Sequence, residues 1–200
     1  MKNYQTLADT VIISDRNKLV HAGDELMLIG TGRSAFVFRI KESHQVIKVF
    51  YPQFVHVAKE EADIYQVLQG ISYFPKVYGS GPNYIVMDFI EGATLFECLT
   101  QGKVVTSAHI KEIDYALSLA SDRGLNPSDI HLRNILITPD GGIKMIDVAR
   151  FRQKKDCSQW RDLKKAYRRH YLKPYFPKKI PAPILNALAF LYKKELIPTY

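Results

Sequence analysis

Residues 128–150, SDIHLRNILITPDGGIKMIDVAR, constrain the fold of this chain more than any other stretch. Two apolar runs, Ile135-Leu136-Ile137 and Ile143-Lys144-Met145-Ile146, flank Pro139-Asp140-Gly141-Gly142, a strong turn signal, so the stretch reads as a β-hairpin. Polar residues stand at its open end: Asp129, then Asn134 five positions on, then Asp147 thirteen beyond that. No His/Cys cluster of the kind that holds zinc accompanies them.

The segments before the hairpin divide into a β-rich and then a helical part. ELMLIG (25–30), FVFRI (36–40) and QVIKVF (45–50) are apolar, β-branched or aromatic runs separated by polar or glycine-containing turns, which predicts an antiparallel meander. VAKEEADIYQVLQG (57–70) predicts a helix with Val57, Ile64, Val67 and Leu68 inward and Gly70 as its stop. KVYGSGPNYIVMDFI (76–90) reads as a second hairpin around Gly81-Pro82, and GATLFECLT begins a helical segment. Residues 106–124 predict a helix capped by Thr106 or Ser107, buried through Ile110, Ile113, Leu117 and Ala120, and ended by Gly124. After the hairpin, QWRDLKKAYRRHY (159–171) offers Trp160, Leu163 and Tyr167 as an inward stripe, with Asp162 placed to brace the loop at Asp129. Residues 181–196 predict a short amphipathic helix packed by Ile184, Leu185, Leu188 and Leu191.

GTGRSAFV (30–37) follows G-x-G-x-x-G-x-V with Ala35 at the third glycine position. A dinucleotide-binding loop needs a strand before it and a helix after it, whereas here strand follows strand. A glycine-rich hairpin folding over nucleotide phosphates fits, because backbone N–H groups can approach an anion where side chains are missing. Lys48 lies eighteen residues after Gly30 in the otherwise apolar VIKVF. A lysine there either snorkels at an edge or is held by a partner. Glu61 on the next helix is the expected partner, in preference to Glu60, because its register leaves Ile64 and Leu68 facing the core.

The order GTGRSAFV, VIK, EADIYQVL, YIVMDFIEG, DIHLRN and IKMIDVA resembles a protein kinase over roughly residues 25–151, and most of all the small, atypical bacterial Ser/Thr kinase-like proteins. The resemblance implies an α+β, bilobal protein kinase-like fold. Its N-terminal nucleotide-binding lobe (1–89) would be antiparallel β with one helix, and its C-terminal lobe (90–200) truncated and mostly helical. It further implies ATP and Mg²⁺ as cofactors. Gly30, Thr31, Gly32 and Ala35 would form the phosphate loop, and Lys48 with Glu61 the phosphate-positioning pair. Val37 and Val46 would sandwich the adenine, Met87 would be the gatekeeper, and the backbone of Asp88 and Ile90 would meet the adenine edge. Asp129 would orient the acceptor hydroxyl and take its proton, and Asn134 and Asp147 would hold the metal.

The chain departs from that family in places that shape the expectation. Pro127-Ser128 replaces the His-Arg before the catalytic Asp, so no arginine there docks a phosphorylated activation loop. Asp147-Val148-Ala149 replaces Asp-Phe-Gly, and only 53 residues follow Asp147, too few for a full peptide-docking lobe. His131 stands where typical protein kinases carry a lysine near the γ-phosphate, placed to assist phosphate or simply to pack. The expected activity is transfer of the γ-phosphate to a protein hydroxyl. A small-molecule kinase of aminoglycoside or sugar-amine type, or a pseudokinase scaffold, are the alternatives.

Charge is unevenly spread. Residues 1–149 carry a net −3 and residues 150–200 a net +11. That asymmetry suggests a polyanionic partner: an acidic protein substrate, a membrane surface, or DNA or RNA engaged through phosphates by the basic C-terminal region. No stretch approaches the roughly 20 consecutive apolar residues of a membrane span. Charge enters the first apolar run too early for a secretory signal. Cys98 and Cys157 stand singly, which suits a reducing compartment. A cytoplasmic location is therefore expected.

Overall fold

The computed structural model describes residues 3–194 and 196. The chain forms two compact units: residues up to Ile90 together with Asp147–Ala149, and Glu91–Ile146 together with the residues from Arg150 onward.

The first unit is built on antiparallel pairing. Helix α1 (Tyr4–Asp9) starts at Asn3, whose side chain accepts from the Gln5 and Thr6 N–H groups at 3.1 and 3.3 Å. A small ribbon of β1 (Ile12–Ile13) and β2 (Leu19–His21) follows. Then come β3 (Leu26–Thr31), β4 (Ala35–Ile40), β5 (Gln45–Phe50), helix α2 (Val55–Leu68), β6 (Val77–Ser80) and β7 (Tyr84–Asp88). Their five strands make one sheet in the order β3-β4-β5-β7-β6, antiparallel throughout. Period-2 alternation gives the sheet two different faces. One buries Phe36, Phe38, Ile40, Ile47, Val49 and Val86 against Leu7 and Ala8 of α1. Phe38 and Ile47 are fully enclosed, each worth roughly 1.5–3 kcal/mol of burial. The other face carries Lys48 and receives α2.

The strands and α2 lie where the sequence places them, with two corrections. The expectation of one helix in this half missed α1, a six-residue helix too short for apolar periodicity to reveal. The inward stripe of α2 is Ala58, Glu61, Ala62, Ile64, Tyr65 and Leu68, while Val57 and Val67 are only half-buried. Val57 lies in the first turn, and Val67 is rotated off the face that Glu61 sets. Gly70, at φ +85°, ends the segment in a conformation that glycine adopts without strain.

The second unit begins with β8 (Ala93–Thr94) and α3 (Leu95–Gln101), joined by a reciprocal capping box between Thr94 and Glu97. Helix α4 (Ser107–Asp122), capped by Thr106, buries Ile110, Ile113, Ala116, Leu117 and Ala120. Strands β9 (Ile135–Ile137) and β10 (Ile143–Met145) form the hairpin, and β8 completes a three-stranded antiparallel sheet, β10-β9-β8. Its turn closes through the Thr138 N–H to the Gly142 carbonyl at 2.9 Å, with Gly141 at φ +87°. Ile135, Ile143 and Met145 pack inward.

Helix α5 (Gln159–Ala166) runs into a single π-turn (Tyr167–Tyr171), and helix α6 (Ala182–Lys193) ends the described chain. Two apolar stripes expected here are different in the structure. Of Trp160, Leu163 and Tyr167 only Trp160 is buried, and Tyr171 joins it, because the wider π-turn shifts the helical register. In α6 only Leu185 is buried, and Ile184, Leu188 and Leu191 are 52, 47 and 37% exposed. The helix docks through Leu185 and, seven residues on, Tyr192, whose hydroxyl donates to Asp162 Oδ2 at 2.8 Å. Asp162 thus ties α5 to α6, and does not brace the loop at Asp129. Among the described residues, no helix is long and apolar enough to cross a membrane.

Candidate active site

In the first unit the site grows out of ladder register. Val37 and Ile85 flank Lys48 in one cross-strand row, and Arg39 and Met87 flank Val46 in the next, so these side chains share a sheet face. Val46 and Met87 are buried and Val37 is half-buried. The Asp88 N–H donates to the Lys76 carbonyl at 3.0 Å, and the Asp88 carboxylate accepts from the Lys76 N–H and the Tyr78 hydroxyl. Of the two Asp88 backbone groups, only the carbonyl is therefore left for an adenine edge. Ile90 is half-buried just beyond β7.

The glycine-rich turn is held from behind. Gly30 and Thr31 pair with Val37 and Phe36 across a bulge, and the Gly32 N–H donates to the Ala35 carbonyl at 2.9 Å. The Tyr51 hydroxyl donates to the Gly32 carbonyl at 2.9 Å and the Tyr51 N–H to the Ser34 carbonyl at 2.8 Å. Neither Gly30 nor Gly32 has a positive φ. A Cβ on Gly30 would meet only Val37 at an ordinary 3.6 Å, and one on Gly32 would meet the Ala35 carbonyl at 3.3 Å. The turn itself therefore has no conformational need for glycine at Gly30. Ala35 is buried and pairs with Phe50, so its methyl faces protein.

Lys48 Nζ lies 2.8 and 2.7 Å from the two oxygens of Glu61 and 3.3 Å from Asp147 Oδ1. Glu61 is completely enclosed, whereas Glu60 is exposed. Burial works to lower the Lys48 pKa, but the charges of Glu61 and Asp147 outweigh it and hold the ammonium above its ordinary value. Burial pushes the Glu61 carboxyl up, against the pull of Lys48 and with Asp147 adding to the rise. Tyr65, one turn beyond Glu61, presents a buried hydroxyl toward the Asp147 backbone. Burial raises its phenol well above the ordinary value, and the charges of Glu61 and Asp147 add to that.

In the second unit, Asp129 adopts φ +61°; in the first, Asp147 adopts φ +60°. The left-handed region costs an L-residue about 1 kcal/mol, and Asp is among the types that tolerate it best. Such strain concentrates where a side chain must be aimed. Asn134 is buried, and its Nδ2 donates to the Asp129 carbonyl at 3.2 Å. That commitment leaves Oδ1 as the amide atom able to meet a cation. The Asn134 carbonyl accepts from the Ile146 N–H at 2.9 Å, which fixes the mouth of the hairpin. Arg150 Nε lies 3.4 Å from Asp129 Oδ2. The His131 carbonyl accepts from the Asn134 N–H, and its Nδ1 accepts from the Arg133 N–H at 3.3 Å, so this residue shapes the turn. Ser128 is fully buried and donates to the Asn126 carbonyl at 2.9 Å.

Four contributors escaped the sequence reading. Asp147 as a second partner of Lys48 is separated from it by 99 positions, and Arg150 beside Asp129 follows no spacing rule. Asn126, which anchors the segment after Asp147, reads as an ordinary loop residue. Tyr65 alone carried a signal, since it lies four residues after Glu61 on the same helix face.

The donors suit Mg²⁺ bound jointly with phosphates. They are oxygens, and among the described residues no group of three His, Cys, Asp or Glu side chains forms an all-protein metal cage.

No protein-family model matches the chain. It is 46% identical over 196 residues to the Bacillus subtilis (strain 168) protein named "Putative serine/threonine-protein kinase YrzF", covering 96% of this chain and 91% of that protein. It is 28% identical over 174 residues to a Clostridium acetobutylicum protein named as a "Probable serine/threonine-protein kinase", covering 76% of this chain but 26% of that longer protein. Neither name mentions nucleic acid, and the comparisons give the expected DNA or RNA partner no support. With a relative of that identity matched over nearly its full length, the chain belongs to the family of serine/threonine-protein kinase-like proteins.

Proposed function

We propose that the protein transfers the γ-phosphate of Mg-ATP to a serine or threonine hydroxyl of a protein. The observation that carries this reading is the cluster of Lys48, Glu61 and Asp147, with 2.7–3.3 Å contacts around one ammonium whose side chain is 12% exposed. A lysine held between two carboxylates in an apolar strand has little value for stability, since desolvation offsets most of what the pairing gains. Its value lies in a fixed cation for phosphate oxygens.

When bound, Mg-ATP brings the phosphoryl group and a metal charge that neutralises it. Lys48, oriented by Glu61, binds the α- and β-phosphates, while the glycine-rich turn from Gly30 to Ala35 covers them. The oxygens of Asp147 and Asn134 hold Mg²⁺. Val37, Val46 and Met87 supply an apolar face for the adenine, with the Asp88 carbonyl and the Ile90 backbone at its edge. Asp129 takes the proton of the acceptor hydroxyl as that oxygen bonds to the γ-phosphorus, and ADP departs with the electrons of the broken bond. The absence of a conformational reason for Gly30 supports the anion role of the loop.

The test is titration calorimetry of Mg-ATP with two variants. Lys48→Met weakens affinity at least tenfold, whereas Asp129→Asn binds within about threefold of wild type while losing transfer. Equal loss of affinity in both variants contradicts the roles assigned.

A further inference from the structure

Helix α6 is held to its unit along one side. Leu185 and Tyr192, seven residues apart, fall on one line of the helix, and on the flank beside them the Arg133 guanidinium donates to Asn186 Oδ1 at 2.9 Å. At about 100° per residue, Leu188, Ile184, Leu191 and Phe190 spread over roughly 160° of the opposite side. All four are exposed, Phe190 by 60%. A contiguous apolar face of this kind, left in water, marks a place where something else docks.

Cations share that face. Lys194 Nζ lies over the Phe190 ring, 6.0 Å from its centroid, and Lys193 is exposed beside it. The segment leading into α6 repeats the mixture: Leu172, Lys173, Tyr175 and Lys179 are all exposed, Tyr175 by 81%. Its end is fixed where the Ile180 N–H donates to the Leu99 carbonyl at 2.9 Å. From Leu163 to Lys194 the chain carries nine lysines and arginines and neither Asp nor Glu.

We propose that α6 and the segment before it dock on the surface of an anionic lipid membrane. The apolar side chains enter the boundary between headgroups and acyl chains, and the lysines meet lipid phosphates. The helix lies on the bilayer and does not cross it. Ile184, Leu188 and Leu191 are aliphatic, with neither a flat ring to stack on a base nor a group to bond one, so a polynucleotide would leave them unused. A groove in another protein would have to bury Lys194 amid apolar contact and supply a carboxylate for it. At a bilayer its stem stays in the apolar layer while its ammonium reaches the headgroups. Pairing α6 with that of a second copy would set like charge against like charge. The inference is independent of the roles assigned to Lys48, Asp129 and Asp147.

The experiment is co-sedimentation of the full chain with vesicles of phosphatidylcholine alone and of equal parts phosphatidylcholine and phosphatidylglycerol. A single-stranded oligonucleotide serves as a rival ligand in a separate titration. The expected result is partitioning about tenfold or more stronger onto the anionic vesicles, weakening as salt is raised. The double variant Leu188→Ser with Phe190→Ser keeps every charge and is expected to lower that partitioning about tenfold. Lys193→Gln with Lys194→Gln keeps every apolar group and is expected to lower it by about tenfold as well. All four positions are exposed, and melting temperatures within a few degrees of wild type exclude misfolding. Failure to bind anionic vesicles overturns the inference, as does equal binding to both kinds. Anionic binding untouched in the serine variant overturns it too, since net charge alone then suffices. Oligonucleotide binding without vesicle binding, or a dimer in sedimentation velocity that the serine variant dissolves without vesicle binding, gives the face to another occupant and overturns it.

Discussion

Lys48 holds its charge because two carboxylates outweigh its burial, and the pH behaviour of nucleotide binding follows from that balance. The ammonium pKa is raised above 10.5, so its contribution to stability is complete below that pH and is lost only as pH rises through the raised value. Glu61 behaves differently, since burial raises its carboxyl above the ordinary 4.5. A raised carboxyl stabilises the fold most below 4.5 and loses that contribution as pH climbs through its folded value, so at neutral pH Glu61 is a charge kept for its task at some expense. On acidification Glu61 takes up a proton earlier than an ordinary carboxylate and stops orienting Lys48. Mg-ATP affinity of the wild type is expected to fall on acidification with a midpoint above 4.5, and Glu61→Gln, weaker at neutral pH, is expected to lack that limb. Identical pH profiles in the two proteins would rule the coupling out. At this scale the sequence was legible where a residue contradicts its surroundings: a lysine in VIKVF and a glutamate on an inward helical position. It was silent on Arg150 and Asn126, because both depend on how distant loops are tied together.

At the scale of elements, the hairpins and the helices α2 and α4 follow from turn residues, caps and periodicity that all agree. The C-terminal helices were less legible for a physical reason. Their positions are set by polar ties, which hydrophobic pattern does not report. Trp160 Nε1 and Lys164 Nζ both donate to Asp114 Oδ1, at 2.7 and 2.8 Å, and this joins α5 to α4. Removing that acceptor leaves a buried indole N–H unsatisfied. Asp114→Ala is expected to destabilise the protein by about 1–3 kcal/mol in chemical denaturation, with Asp114→Asn recovering most of it. An unchanged midpoint in Asp114→Ala would show that α5 is held by apolar contact alone. The exposed stripe of Ile184, Leu188 and Leu191 has the same origin, since α6 is oriented by Tyr192 and by Arg133, whose guanidinium donates to Asn186 Oδ1 at 2.9 Å.

On the scale of the whole molecule, the division of labour is visible in the charge distribution: the acidic part of the chain holds the paired lysine, and the net +11 of residues 150–200 begins beside Asp129. The family was readable in advance because six short motifs fall in one order, although none of them alone is specific. What could not be read was that the segment after Asp147 is stapled to Asn126. A ligand that binds only the folded state raises its stability by mass action, so Mg-ATP at a hundredfold excess over Kd is expected to add about 2.7 kcal/mol. Thermal unfolding should show that upshift in wild type and lose most of it in Lys48→Met. A shift of equal size in Lys48→Met would place the nucleotide elsewhere.

The most direct measurement is single-turnover transfer of label from γ-labelled Mg-ATP to protein serine or threonine, comparing wild type with Asp129→Asn at saturating nucleotide. The account predicts labelled phosphoserine or phosphothreonine in the wild type and at least a hundredfold slower transfer in the variant, with nucleotide still bound. Transfer at the wild-type rate in Asp129→Asn, or nucleotide binding with no transfer to any protein acceptor, would contradict it.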